Sequence, residues 1–108
     1  METYKHYVRQ QLPERDRLEQ LAEECAELSQ AALKLIRARG YSKSYTPRTE
    51  AEAMANFMEE VVDVIIAMEA TLPVEYKFFI PMEPMQYKLK WQRWAARLKE
   101  QEHETETD

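Results

Sequence analysis

Apolar and polar positions recur along this chain with the period of an α-helix. Between Glu14 and Arg39, the residues Leu18, Leu21, Cys25, Leu28, Ala32 and Leu35 are spaced 3, 4, 3, 4, 3. Such a seam predicts one long helix, with Gly40 as its stop and Arg37 and Arg39 favourably near its C-terminal dipole. Cys25 falls inside the seam and reads as a small core hydrophobe. A second long helix is expected to run to about Leu72, with Met54, Phe57, Met58, Val61, Val64, Ile65 and Met68 as a broad apolar stripe. Its start has two readings. Thr49 with Glu52 makes a capping box, and Thr46 as N-cap with Pro47 in the first turn fits nearly as well.

Shorter elements flank this pair. Residues 2–12 predict a short helix with Tyr4, Tyr7, Val8 and Leu12 near one face, ended by Pro13. Pro73 closes the second long helix, and residues 74–86, with Pro81 and Pro84, read as an extended or one-turn connection with its aromatics tucked onto the bundle. A last helix is expected over about Met85 to Gln101, with Tyr87, Trp91, Trp94, Ala95 and Leu98 as its buried stripe. Lys90, Arg93 and Arg97 form a basic strip on its flank. Residues 102–108 hold no apolar side chain and read as a disordered acidic tail. The fold class is therefore all-α: an antiparallel helical bundle in one domain over residues 1–101.

Composition agrees with that architecture and narrows the function. One glycine and six methionines in 108 residues suit an all-helical chain with a modest core. A net charge of −5 argues against generic nucleic-acid or membrane binding. No apolar run approaches the ~20 residues of a membrane span and no signal peptide is evident, so a cytoplasmic location is expected. The single cysteine excludes an internal disulfide and a Cys-rich zinc site.

The candidate chemistry lies in two acid pairs. Glu24 with Glu27, and Glu60 with Asp63, each stand at i and i+3, on one face of a helix. In both helices the first acid borders the apolar stripe and the second lies about 60° further round. The correspondence also takes in Glu23 with Glu59 and Ala31 with Ala67. Either these are solvated helix faces, or an antiparallel pair brings four carboxylates to one groove. Four converging carboxylates must protonate, splay apart or bind a cation. An all-oxygen donor set suits Mg2+ or Mn2+, whereas zinc sites usually include His or Cys. Neither His6 nor His103 supplies the Glu-x-x-His of a di-iron bundle.

These residues also carry a family resemblance. The run Leu21-Ala-Glu-Glu-Cys-Ala-Glu-Leu-Ser-Gln-Ala-Ala-Leu-Lys34, then Thr46-Pro47, then Asn56-Phe-Met-Glu-Glu-Val-Val-Asp63, resembles the MazG-like all-α nucleoside triphosphate pyrophosphohydrolases, in their small, often phage-associated branch. It covers about residues 18–72, and the 32 residues between Glu27 and Glu60 exceed the commonest spacing in that family. The resemblance implies Mg2+ (or Mn2+) held by Glu24, Glu27, Glu60 and Asp63. It implies hydrolysis of a nucleoside triphosphate between the α- and β-phosphates, giving the monophosphate and pyrophosphate. One of the four acids, or Glu23 or Glu59, then serves as general base. Lys34 is the first choice for the triphosphate charge, and Lys90, Arg93 and Arg97 are the second, against their alternatives as salt bridges or a solvated face. Asn56 is placed to bond sugar or base, or is a surface amide. Trp91 and Trp94 stack on a base or fill the core. The family's habit implies a dimer or tetramer. The rival expectations are a non-catalytic helical interaction protein, and a dUTP- or phosphoribosyl-ATP-directed hydrolase of the same superfamily.

Overall fold

The computed structural model describes residues 2–41, 48–73 and 84–107. It holds four helices: α1 (Glu2–Gln11), α2 (Glu14–Ala38), α3 (Glu50–Thr71) and α4 (Pro84–Thr107). The 74–83 part of the predicted connection, and Thr46 and Pro47, lie outside the described residues. Two compact units divide the chain, Met1–Leu72 and Pro73–Asp108.

In the first unit α2 and α3 pack antiparallel, and local chemistry fixes where each begins and ends. Pro13 precedes α2 without a side-chain cap, and Glu14 and Asp16 place negative charge in the first turn. At the other end Gly40 adopts φ 77, while Gly40 N–H donates to Arg37 O (3.0 Å) and Tyr41 N–H to Ile36 O (3.1 Å). That bond pair is a Schellman closure, and it needs the left-handed residue that glycine supplies. Thr49, not Thr46, caps α3: its hydroxyl accepts from Glu52 N–H at 3.1 Å. Leu72 N–H bonds Met68 O before Pro73 ends the run.

The face that packs differs from the predicted seams. The buried apolar side chains are Ala31, Leu35, Ala53 and Ala67. Leu35 alone of the predicted α2 seam is buried, while Leu18 is 48% exposed and Cys25 is exposed. On α3 the whole predicted stripe is half-buried or exposed, with Met58 at 52%. The reason is rotational. Ala31, Ala53 and Ala67 lie on the same faces as Glu24 and Glu60, so α2 and α3 meet through small residues and acids. The larger apolar side chains stand to one side.

Arginines fasten the open end of this pair. Arg9 Nη1 on α1 lies 3.0, 3.0 and 2.8 Å from the carbonyl oxygens of Glu69, Ala70 and Leu72. Arg17 donates through Nε to Leu12 O (3.0 Å) and through Nη1 to Ala70 O (2.8 Å). A helix C-terminus leaves its last carbonyls without intrahelical partners, and these cations satisfy them. The Thr71 hydroxyl bonds Ala67 O at 2.7 Å, with Arg17 O at 3.2 Å. At the far end Arg39 Nε bonds Glu50 Oε1 at 3.2 Å. These links join the first turns of α2 to the last turn of α3 and the end of α2 to the start of α3.

The second unit carries α4. Its predicted stripe is exposed rather than buried, with Tyr87 at 53%, Trp91 at 56%, Trp94 at 53% and Leu98 at 52%. The aromatic rings contact one another instead. Trp91 and Trp94 stack with centroids 5.5 Å apart, and Tyr87 meets Trp91 edge-on at 6.5 Å. The helix also continues to Thr107, through residues predicted to be a disordered tail. Residues 102–107 contain neither Gly nor Pro and three of them are Glu, so a helix already formed propagates through them.

Candidate metal centre

Glu24, Glu60 and Asp63 converge. Each offers one carboxylate oxygen, and the three oxygens lie within 4.8 Å of one another. Ala31 and Ala67 stand two turns beyond Glu24 and Glu60 on the same helix faces, and side chains this small let the two helices approach closely beside the acids. Both alanines are buried, at 1% and 6% exposure. The three acids are half-buried, so part of their hydration is lost.

Polar satisfaction within the group is incomplete. Glu24 Oε1 accepts from Gln20 Nε2 at 2.7 Å, one turn back on α2. Glu24 Oε2 and Glu60 Oε2 are buried and, among the described residues, have no hydrogen-bond partner. Buried carboxylate oxygens normally find donors, and exceptions mark a place for water, a proton or an ion. Glu60 shows the electrostatic consequence. Burial pushes its carboxyl above the ordinary range, and the charges of Glu27, Asp63, Glu24 and Glu59 push in the same direction. The three convergent carboxylates, two with an orphaned oxygen, form the hard oxygen donor set that fits Mg2+ or Mn2+.

The remaining predicted residues fall into three groups. Glu27 is exposed and outside the set of three, although its charge reaches Glu60. From that exposed position Glu27 is still the first of the neighbouring charges that raise Glu60. Glu23 and Glu59 are exposed beside the group. Lys34 and Asn56 are half-buried on α2 and α3, and among the described residues neither bonds to the cluster. Lys90, Arg93 and Arg97 line a depression on α4 with Trp94 and Ala96, in the second unit. The sequence reading missed Gln20, Arg9 and Arg17. Gln20 precedes Glu24 by one turn, so the i, i+4 pairing of amide and acid was a readable signal. Arg9 and Arg17 act on a segment more than fifty residues away, which no local pattern shows.

Among the described residues, no helix is long and apolar enough to cross a membrane. Compared with known proteins, the chain matches no family model, no curated protein and no solved structure.

Proposed function

We propose that this chain is a Mg2+-dependent nucleoside triphosphate pyrophosphohydrolase of MazG-like type, releasing nucleoside monophosphate and pyrophosphate. One observation carries the proposal: Glu24, Glu60 and Asp63 place three carboxylate oxygens within 4.8 Å, and two of these acids have a buried oxygen without a partner. The resemblance of residues 18–72 supplies the reaction. Mg2+, or Mn2+ in its place, would supply neutralisation of the phosphate charge and activation of water at this site. Glu24, Glu60 and Asp63 hold the ion, and Gln20 fixes the rotamer of Glu24 through its 2.7 Å bond. Glu27 is solvent-accessible, yet its charge reaches Glu60, and it takes the proton from the attacking water. Lys34 faces the triphosphate charge from α2, with Lys90, Arg93 and Arg97 as the alternative source.

Mixing the protein with nucleoside triphosphates and Mg2+ should release pyrophosphate, and Glu24→Gln or Asp63→Asn should lower turnover by about 100-fold or more. Turnover that survives both substitutions sinks the site assignment.

A second reading has its own support. Leu18, Ile36, Met58 and Val62 are between 41% and 58% exposed in the single chain, as are the aromatics of α4. Such faces serve assembly, either the dimer or tetramer that the enzyme reading includes or a purely structural role. The structural role predicts no pyrophosphate release from any nucleotide and no loss on Glu60→Gln beyond a change in stability.

A further inference from the structure

Beside the three acids lies a cleft of about 180 Å³. Val8 of α1 and Leu12, just after it, form one wall, and Ile66, Ala67 and Ala70 of α3 form the other. Arg17 and Gln20 of α2 line it between these walls, and Glu24 and Asp63 close the end nearest the acids. All three helices belong to the unit Met1–Leu72.

The dimensions decide what fits. A cavity of about 150 Å³ accepts a single six-membered aromatic ring, whereas pockets for whole drug-sized ligands start near 300 Å³. The cleft is open to solvent on one side, and the 180 Å³ between its walls matches one ring rather than a complete nucleotide. Ile66, Ala67 and Ala70 lie one to two turns beyond Asp63 on α3, about 5–10 Å along the axis. A ribose bridges that span between a base and its first phosphate. The walls are apolar, as a ring's faces require. The edge is polar: Gln20 gives one N–H to Glu24, which leaves an amide carbonyl and a second N–H of the kind that pair with a base edge.

We infer that this cleft binds the base of the nucleotide and that its size selects a single-ring pyrimidine over a fused-ring purine. The nucleotide itself rests on the pyrophosphohydrolase proposal, while the ring size rests on the cleft. Ile66 and Val8 are specificity-determining wall residues, and Gln20 is the polar reader.

Binding separates this inference from the reaction. The probes are the α,β-methylene analogues of UTP, CTP, ATP and GTP, which cannot be cleaved at the relevant bond, with inorganic tripolyphosphate as a base-free control. Calorimetric titration in Mg2+ should show the pyrimidine analogues binding roughly tenfold or more tighter than the purine analogues. Ile66→Trp and Val8→Trp fill the cleft from opposite walls at partly exposed positions, so either variant serves if the other fails to fold. Each should bring the pyrimidine analogues down to purine affinity and leave tripolyphosphate unchanged. Equal affinity for both base classes overturns the inference, as does an unchanged pyrimidine affinity in a folded variant. Pyrophosphate release from UTP and ATP at equal rates overturns it while supporting the reaction. Pyrimidine-selective binding without pyrophosphate release from any triphosphate supports the cleft and overturns the reaction.

Discussion

Arg9 lies in α1, outside both acid motifs, yet it should be among the most costly residues to remove from this chain. Its Nη1 stands 2.8–3.0 Å from three carbonyl oxygens at the end of α3. Hydrogen bonds to a charged group contribute about 1.5–3 kcal/mol each where partners are desolvated. Here the group is only part-buried, water partly replaces it, and one nitrogen serves all three acceptors. A loss of about 2 kcal/mol for Arg9→Met is therefore expected, the methionine retaining most of the apolar stem. In a domain of this size that lowers the melting temperature by about 10 °C. Arg9→Lys should recover only part of the loss, since an ammonium keeps the charge but not the planar fork. Arg15→Met is the control, because its 3.7 Å pair with Glu19 is exposed and should contribute no more than about 0.5 kcal/mol. Far-UV circular dichroism melts measure all three. Hydrogen exchange adds location: α1 amides should lose protection first, because Arg9, beside the 3.3 Å Lys5–Glu69 pair, ties α1 to α3. A loss for Arg9→Met below about 0.5 kcal/mol would refute the reasoning.

Two further outcomes follow from the packing and charge of the acid group. Glu60 has a folded-state pKa above its ordinary value of 4.5, raised by burial and then by Glu27, Asp63, Glu24 and Glu59. Its stabilising contribution is therefore full below that value and lost as pH rises through the raised one. Metal-free protein should lose melting temperature relative to Glu60→Gln between pH 4.5 and neutrality, and Mg2+ should reverse the loss; a flat difference across that range refutes the coupling. Ala31→Leu should cost about 1–3 kcal/mol by overpacking, and should weaken Mg2+ affinity more than Leu18→Ala does, as read by calorimetry.

Much of this was legible in the sequence because the signals were local. Helix periodicity, the Thr49–Glu52 pair and Gly40 each report on a few neighbouring residues, and the structure agrees with them. The i, i+3 acids pointed to a common groove, and three of the four predicted ligands meet there. What was not legible is which face meets which. A strong apolar seam shows that a helix is amphipathic, but it does not name the partner. Here α2 and α3 chose the alanine faces, leaving Leu18, Cys25 and Met58 outside the contact. The same limit hid Arg9 and Arg17, whose acceptors are backbone carbonyls with no sequence signature. Spacing alone also did not show that Glu27 stays outside the group of three.

The stacked Trp91–Trp94 pair has a spectroscopic consequence. These are the two tryptophans of the chain, and both sit on α4 in the unit Pro73–Asp108. The unit Met1–Leu72, which carries the acids, contains no indole of its own. A change in native tryptophan emission on adding nucleotide would report the helix that bears Lys90, Arg93 and Arg97. The native fluorophores therefore watch the strip on α4 without a label, whereas Lys34 has no indole on its own helix.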